Sequence, residues 1–246
     1  LLKSNPAYRL YELDYALNKV ECKAIVAAEK FKSSEYLQML NTLAPEIASC
    51  EPGYLRSEKL PHLTTVIRMG EERSPGMFNF EEICSLGSPS HYARLEELAG
   101  TLGPDDAINI QFTSGTTGNP KGVLYSHRSN VLHGLMANQS DVFALSSNDA
   151  ILPIVPMFHA NAWAITYAAP MVGASLVMPG PGMDGASIWE LLEQERVTCS
   201  AAVPTVWLGL LQYLDETGRK LPWLERVVIG GAAYPRMMIE RLENDF

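Results

Sequence analysis

Apolar residues recur along this chain with two alternating periods. Over residues 7–20 they return every three or four positions, which predicts an amphipathic helix, whereas a compact apolar run at residues 22–27 predicts a buried strand. Further helices are predicted at residues 35–43, 91–98, 130–139, 187–195, 206–216 and 235–243. Further strands are predicted at residues 64–68, 108–112, 123–125, 150–155, 174–178, 197–203 and 223–229. This alternation predicts an α/β fold with largely parallel sheets flanked by helices.

One apolar stretch, residues 160–178, is nearly long enough to cross a bilayer. It is interrupted by Asn161, Pro170 and Gly173, and residues 170–174 predict a break between a helix and a strand. A buried helix followed by a strand is therefore favoured over a transmembrane span.

Composition narrows the functional classes. The chain has 246 residues, of which 47% are hydrophobic, and its net charge is −9 without a basic cluster. This balance argues against nucleic acid as a partner. It also means that a nucleotide site must be locally positive or assisted by magnesium. Four separated cysteines form no C-x-x-C pair, and this spacing indicates neither a zinc site nor a disulfide framework.

Residues 113–122, Thr-Ser-Gly-Thr-Thr-Gly-Asn-Pro-Lys-Gly, are the most informative segment. Glycines allow the backbone to turn tightly and bring its N–H groups close to a phosphate. Hydroxyl groups add hydrogen bonds, and a lysine adds a mobile positive charge. The segment predicts a polyphosphate-binding loop between two strands. Its candidate ligand-binding residues are Thr113, Ser114, Gly115, Thr116, Thr117, Gly118, Asn119, Pro120 and Lys121.

Two other interpretations of this loop are weaker. A Walker A loop requires G-x-x-x-x-G-K-[ST], but Gly115 and Gly118 are three apart and Gly122 follows the lysine. A P-loop hydrolase is thus a distant alternative. A flexible connector without a ligand rarely combines this Gly/Thr pattern with Pro-Lys-Gly.

Two further segments follow predicted strands. Residues 156–163 contain His159 and Trp163, which would share a face if the segment is helical. The glycine turn at residues 230–233 lies between a strand and a helix, an arrangement suited to a nucleotide. From the residues alone, a core histidine and an ordinary tight turn remain open interpretations.

The loop resembles the phosphate loop of the adenylate-forming superfamily, which includes acyl-CoA synthetases, peptide-synthetase adenylation domains and luciferases. The similarity extends over nearly the whole chain. It implies that a carboxylic acid attacks the α-phosphate of ATP, with Mg²⁺ present, to give an acyl-adenylate and pyrophosphate. A thiol, usually that of coenzyme A, then displaces AMP.

The resemblance also implies residue roles. Lys121 and the loop would hold the β- and γ-phosphates, and Thr113 would be a magnesium ligand. His159 would contact or gate the acyl group, and Trp163 would close the fatty-acid tunnel until ATP binds. Backbone at Ala160 would line the pocket. Gly231 and Ala232 would flank the adenylate.

Later motifs of the superfamily, among them an aromatic-Gly-x-Thr-Glu segment and a Thr-Gly-Asp motif, are not found in the sequence. We therefore expect an internal fragment of an AMP-binding N-terminal domain, without the C-terminal domain. Its expected parts are a first α/β portion at residues 1–107 and a portion with the phosphate loop and acyl/adenylate site at residues 108–246.

The expected substrate is a medium- or long-chain fatty acid or a related carboxylic acid. Segments near the N-terminus resemble medium-chain ligases, and segments after the loop resemble long-chain or methylthiopropanoate ligases. An adenylation module that passes its acyl group to a carrier-protein thiol, and a non-catalytic nucleotide-binding fragment, are the alternatives. The expected location is the cytoplasm, or the mitochondrial matrix in a eukaryote, and a homodimer is left open.

Overall fold

In a computed structural model, which describes residues 1–2, 4–113 and 119–245, the chain divides into two compact units. The first unit comprises residues 4–103. The second unit comprises residues 1–3 and 104–246. Each unit has a parallel sheet, and the first unit has one buried apolar cluster while the second has two, so the predicted α/β class is confirmed.

The first unit packs helices on a small parallel sheet. Its elements are α1 (Leu10–Lys19), β1 (Ala24–Ala27), β2 (Lys30–Phe31), β3 (Ser34–Glu35), α2 (Tyr36–Leu43), β4 (Thr65–Arg68), β5 (Phe78–Asn79), α3 (Phe80–Ile83) and α4 (Pro89–Ala99), with 3-10 turns at Pro45–Ser49 and Cys84–Leu86. The sheet order is β1–β4–β5, and β2 and β3 form a small antiparallel pair. Leu13 and Leu17 on α1 and Leu40 on α2 are buried together, as their helical spacing predicts.

The second unit carries all the segments with candidate chemistry. Its elements are β6 (Ala107–Phe112), β7 (Gly122–Ser126), α5 (His127–Ala137), β8 (Ala150–Pro153), α6 (Ala160–Trp163), α7 (Ile165–Val172), β9 (Ser175–Leu176), α8 (Gly185–Gln194), β10 (Cys199–Ala202), α9 (Pro204–Thr217), β11 (Arg226–Ile229) and α10 (Arg236–Asp245).

Strands β8 to β11 form a parallel sheet in the order β11–β10–β8–β9. The interior strand β10 consists of small residues that are fully buried, because both of its faces are covered. Helices α8 and α9 pack against each other, and Trp207 of α9 is completely buried in the same apolar cluster as Leu152 of β8. Burial of such a side chain stabilises the fold by roughly 1.5–3 kcal/mol.

The strands on either side of the predicted phosphate loop pair with each other. β6 and β7 form an antiparallel hairpin in which Phe112 lies opposite Gly122 and Ile110 opposite Leu124. Leu2 adds a parallel bridge to Ile110. Besides the small β2–β3 pair, the largely parallel arrangement predicted from the sequence therefore includes this antiparallel hairpin, whose strands flank the predicted loop in sequence.

The break between a helix and a strand predicted at residues 170–174 is confirmed, and it falls at Gly173 and Ala174. Helix α7 continues through Pro170 to Val172 and ends at Gly173, whose φ is +77°. A proline in the sixth position of a helix removes one backbone hydrogen bond, and buried neighbours such as Ile165 and Ala169 hold this helix in place. Glycine adopts the left-handed conformation readily and thus terminates the helix. Within the described part of the chain, no helix combines the length and apolar character that a bilayer crossing requires.

Candidate functional site

The base of the predicted phosphate loop is closed by backbone hydrogen bonds. The N–H of Thr113 donates to the carbonyl of Lys121 at 2.9 Å, which continues the β6–β7 hairpin by one step. The Thr113 hydroxyl also lies 3.4 Å from the Lys121 backbone nitrogen. Both side chains are exposed, as is Asn119, and Pro120 is half-buried. The hairpin thus presents the two ends of the loop side by side and open to solvent.

Five of the predicted phosphate-binding residues lie outside the described residues. The described residues Thr113, Asn119, Pro120 and Lys121 flank them on both sides. The residues outside the description are Ser114, Gly115, Thr116, Thr117 and Gly118.

Three loops leave the same edge of the parallel sheet. Strands β8, β10 and β11 run in the same direction, so the segments that follow Pro153, Ala202 and Ile229 begin at the carboxyl edge. In open α/β sheets, ligand sites form beyond this edge. The segment after β8 leads to His159 and Trp163, and the segment after β11 is the glycine turn.

The structure brings Trp163 directly against that glycine turn. A Cβ atom placed on Gly230 would lie 2.9 Å from Cη2 of the Trp163 indole, so only a glycine admits the ring at this distance. The next residue, Gly231, has a φ of +85°, and its Cβ would lie 3.3 Å from Cγ1 of Val203. Residues from all three loops therefore meet at one place. The two candidate segments are therefore in contact with each other.

The segment that carries Trp163 has an unusual backbone. Ala160, Asn161, Ala162, Trp163 and Ala164 all have positive φ, between +46° and +71°. A left-handed conformation costs roughly 1–2 kcal/mol for a non-glycine residue, and asparagine tolerates it best. The condition under which His159 and Trp163 would share a helical face is therefore not met, because α6 is a left-handed turn. Strain of this kind is typical of functional sites.

The remaining candidates lie around this turn. His159 precedes it with an extended backbone, and its side chain is exposed. Ala160 is half-buried, and Ala232 is exposed on the glycine turn. His159 is thereby accessible to a ligand at the carboxyl edge.

Three buried amide residues beside the turn were not singled out from the sequence. Gln111 of β6, Asn130 of α5 and Asn161 of α6 are each at most 4% exposed. The side chain of Asn161 donates to the amide oxygen of Asn130 at 3.1 Å and accepts a hydrogen bond from the amide of Gln111. The sequence carries one signal for Gln111: it is a polar residue between the apolar residues Ile110 and Phe112 of β6.

The described residues do not assemble a metal site by themselves. Across residues 1–2, 4–113 and 119–245, no group of three or more His, Cys, Asp and Glu side chains is placed to hold a metal ion. The hydroxyl of Thr113 is accessible at the loop base. Magnesium in nucleotide sites takes most of its ligands from phosphates and water together with one or two protein oxygens, and Thr113 can supply one such oxygen.

Comparisons with known proteins agree with this arrangement. The sequence model of the family described as "AMP-binding enzyme" matches residues 2–246. A long-chain-fatty-acid–CoA ligase of Thermus thermophilus is 40% identical over 241 residues, covering 98% of this chain and 40% of that protein. A medium-chain-fatty-acid–CoA ligase of Ectopseudomonas oleovorans is 37% identical over 246 residues, covering 98% of this chain and 41% of that protein. The chain thus spans about two fifths of the length of these relatives.

The fold also matches solved structures. The N-terminal domain of FACL13 from Mycobacterium tuberculosis, crystallised with an inhibitor, superposes with a TM-score of 0.68 at 22% sequence identity. The match covers 98% of this chain and 52% of that one. This likeness places the fold of the chain among the N-terminal domains of such proteins.

Proposed function

The chain belongs to the AMP-binding enzyme family, and we propose that the protein containing it converts a medium- or long-chain fatty acid, or a similar carboxylic acid, into its coenzyme A thioester with ATP as the energy source. The names of the two relatives support this reaction class. The structural observation that supports this proposal most is the contact between Trp163 and the Gly230 turn at the carboxyl edge of the sheet.

The proposed reaction has two group transfers. A carboxylate oxygen of the acid forms a bond to the α-phosphorus of ATP while the bond to the pyrophosphate oxygen breaks. The thiol sulfur of coenzyme A then bonds to the acyl carbon, the bond to the AMP oxygen breaks, and the thiol proton is released to solvent or a base. The products are acyl-CoA, AMP and pyrophosphate.

The phosphate loop would stabilise the leaving pyrophosphate. Lys121 is exposed beside the loop base, where its cation can approach the β- and γ-phosphates. Hydroxyl and backbone donors of residues 113–120 would bind the remaining phosphate oxygens. Hydrogen-bond donors and cations that are already in position before the charge develops stabilise a leaving pyrophosphate most effectively.

Magnesium, when bound with ATP, would neutralise charge on the phosphates, and the Thr113 hydroxyl is the described candidate to hold it. Gly231 and Ala232 would lie along the adenylate, because the positive φ of Gly231 turns the backbone at the carboxyl edge. His159, Ala160 and Trp163 would face the acyl group. The fatty-acid chain would enter on the side that Trp163 covers.

We further propose that the chain forms part of an N-terminal domain, with residues 1–107 as its first portion and residues 108–246 as the portion that holds the loop and the acyl/adenylate site. A C-terminal domain would supply the remaining groups. Transfer of the acyl group to a carrier-protein thiol is the alternative for the second step, and a direct comparison of the two thiols as acceptors separates them.

The test of this proposal is a Lys121→Ala variant of the longest natural protein that contains the chain. Loss of a cation at the leaving group should reduce acid-dependent ATP–pyrophosphate exchange about 100-fold. Thiol transfer from a preformed acyl-adenylate, in which pyrophosphate has already left, should change about twofold or less. The two half-reactions are measured separately on the same preparation.

The matched control is Lys220→Ala, which removes the same charge at another exposed position of the second unit. It should retain the activity of the wild type in both half-reactions. Equal losses in adenylation and thiol transfer for the Lys121 variant would contradict the assignment of Lys121 to the phosphates.

A further inference from the structure

We propose that Gln111, Asn130 and Asn161, here called the amide clamp, are positioning residues that fix the left-handed turn at residues 160–164 relative to the β6–β7 hairpin. The amide clamp would thereby set where Trp163 and His159 stand when the acid binds. The inference rests on the proposed function for its substrate, but its structural part can be tested without it.

The turn needs an external constraint. Five successive residues with positive φ are unfavourable for L-amino acids, and none of them is glycine. The local backbone bonds of the turn include one from the N–H of Ala162 to the carbonyl of His159 and one from the N–H of Ala164 to the carbonyl of Ala160, each at 3.1 Å. Such a conformation persists only when the surroundings hold it.

Asn161 is the residue through which the surroundings act. Its backbone N–H donates to the amide oxygen of Gln111 at 3.3 Å, and its carbonyl accepts from the Thr166 hydroxyl at 2.6 Å. Its side chain pairs with both Gln111 and Asn130. Asparagine also tolerates the left-handed conformation better than the alanines around it. One residue therefore supplies both the favoured dihedral angles and the tethering hydrogen bonds.

The other two members of the clamp come from the segments that flank the phosphate loop. Gln111 lies two residues before Thr113 in β6, and its amide also donates to the carbonyl of Met157 at 3.2 Å. Asn130 lies in the first turns of α5, which begins where β7 ends, and its side chain donates to the Ser126 carbonyl at 3.0 Å. The clamp thus joins the entrance and exit strands of the loop to the turn that carries Trp163.

Burial makes this connection stiff. All three amides are almost fully buried, so a lost hydrogen bond is not replaced by one to water. Displacement of the turn would break several of these bonds together. A mutation in the clamp should therefore move the acyl side of the site while the phosphate side remains at the hairpin.

The main test is Gln111→Ala, because position 111 has an ordinary strand conformation and the change removes the tether without altering the intrinsic preference of the turn. We expect kcat/KM for the fatty acid, measured by pyrophosphate exchange, to fall about 10- to 100-fold, since a small misplacement of a binding group has effects of that size. The KM for ATP should change by about twofold or less.

The matched control is Asn109→Ala. Asn109 is on the same strand, two residues earlier, is 1% exposed, and donates to the Tyr167 hydroxyl at 2.8 Å instead of to the turn. Loss of this amide should lower thermal stability without a selective loss in acid kinetics. A fall of equal size in the acid kcat/KM of both variants would overturn the clamp, because it would reveal only a general effect of buried amides.

A second variant guards against misfolding of the first. Asn161→Gly keeps a residue that accepts positive φ but removes the side-chain tether, whereas Asn161→Ala removes both. The alanine variant should lose more acid kcat/KM than the glycine variant. In the double variant Gln111→Ala/Asn161→Gly, the loss of acid kcat/KM, expressed as a free energy, should be smaller than the sum of the losses in the two single variants. Both changes remove the same contact, so its loss is counted only once. Strict additivity would overturn the clamp.

Hydrogen exchange gives a readout that does not depend on activity. Peptides spanning residues 157–166 should exchange faster in Gln111→Ala than in wild type and in Asn109→Ala. If the wild-type protein shows no acid-dependent pyrophosphate exchange, the proposed function fails. The hydrogen exchange rate of residues 157–166 then decides by itself whether the amide clamp holds the turn. Unchanged exchange in Gln111→Ala would overturn it in either case.

Discussion

Single residues decide how closely the segment proposed to contact the acyl group approaches the glycine turn proposed to flank the adenylate. Trp163 and Gly230 come from segments 67 positions apart, yet the indole lies where a side chain on Gly230 would begin. Position 230 requires glycine because a larger side chain would collide with the Trp163 ring. Its backbone angles do not require glycine, since only Gly231 of the pair has a positive φ. The ring position is therefore sensitive to one methyl group.

Replacing Gly230 with alanine should displace the Trp163 ring. The added Cβ would lie 2.9 Å from the ring, which real Cβ atoms do not tolerate, and overpacking of this kind costs about 1–3 kcal/mol. We expect the kcat/KM for the fatty acid to fall about tenfold. Steady-state kinetics over a range of acid concentrations measure this effect.

Gly180→Ala serves as the control, because a Cβ at that position would meet no atom within 4 Å. It should leave the kinetics unchanged. Wild-type acid kinetics in Gly230→Ala would show that Trp163 does not face the acyl group.

Some of these residues could be recognised from the sequence and others could not. The Gly/Thr pattern around Lys121 and the glycines at positions 230 and 231 were recognisable because their chemistry depends on residue type. The left-handed turn was not, because alanine and tryptophan carry no signal for positive φ. Hydrogen bonds from Asn161 to Gln111 and Asn130, which are distant in the sequence, tie the turn to its surroundings.

At the scale of elements, Asp149 ties the amino ends of three strands together. It precedes β8, accepts a hydrogen bond from the Thr198 hydroxyl before β10 at 2.8 Å, and pairs with Arg226 at the start of β11. Burial by itself raises the pKa of this carboxyl, but hydrogen bonds from Thr198 and Ser146 and the charge of Arg226 outweigh it, and the pKa is held below its usual range. The tie lies at the sheet edge opposite the candidate site.

This lowered pKa predicts a dependence of stability on pH. The unfolded chain binds a proton on Asp149 at a higher pH than the folded chain does. The stabilisation is therefore present above the ordinary carboxyl pKa of about 4, and it is lost as the pH falls through the lowered pKa of the folded state. Asp149→Asn should lower the free energy of unfolding by about 1–3 kcal/mol at neutral pH, because it removes the ion pair and leaves Arg226 without its charge partner.

Urea unfolding between about pH 7 and pH 3 at constant ionic strength measures this dependence. The Asp149→Asn variant should lose less stability than the wild type on acidification. Thr198→Val, which removes the hydroxyl that bonds Asp149 and the Ala150 backbone but keeps the ion pair with Arg226, should lie between them at neutral pH. Parallel curves for wild type and Asp149→Asn would contradict the role of this carboxyl.

The elements themselves were largely predictable. Apolar periodicity located the helices and strands of the parallel sheet, because side chains on buried faces must be apolar at the period of the element. The pairing of β6 with β7 was not predictable, since period-two alternation reveals a strand but not its partner. In β6 the buried positions are Asn109 and Gln111 and the half-buried ones are apolar, which reverses the usual assignment of faces.

At the scale of the whole molecule, the candidate chemistry is concentrated in one unit. Every described candidate residue, from Thr113 to Ala232, lies in the unit formed by residues 1–3 and 104–246. The first unit has an apolar cluster of its own and supplies none of the proposed ligand-binding groups. The adenylation account can therefore be tested by substitutions within the second unit.

The central claim is that the protein containing this chain joins AMP to a fatty acid. The most direct measurement is ATP–pyrophosphate exchange by the longest natural protein that includes the chain, with octanoic or hexadecanoic acid present or absent, and with the nucleotide products identified. The account predicts exchange that requires the acid, with AMP as the product when coenzyme A is added. Release of ADP, or exchange that proceeds equally without any acid, would contradict it.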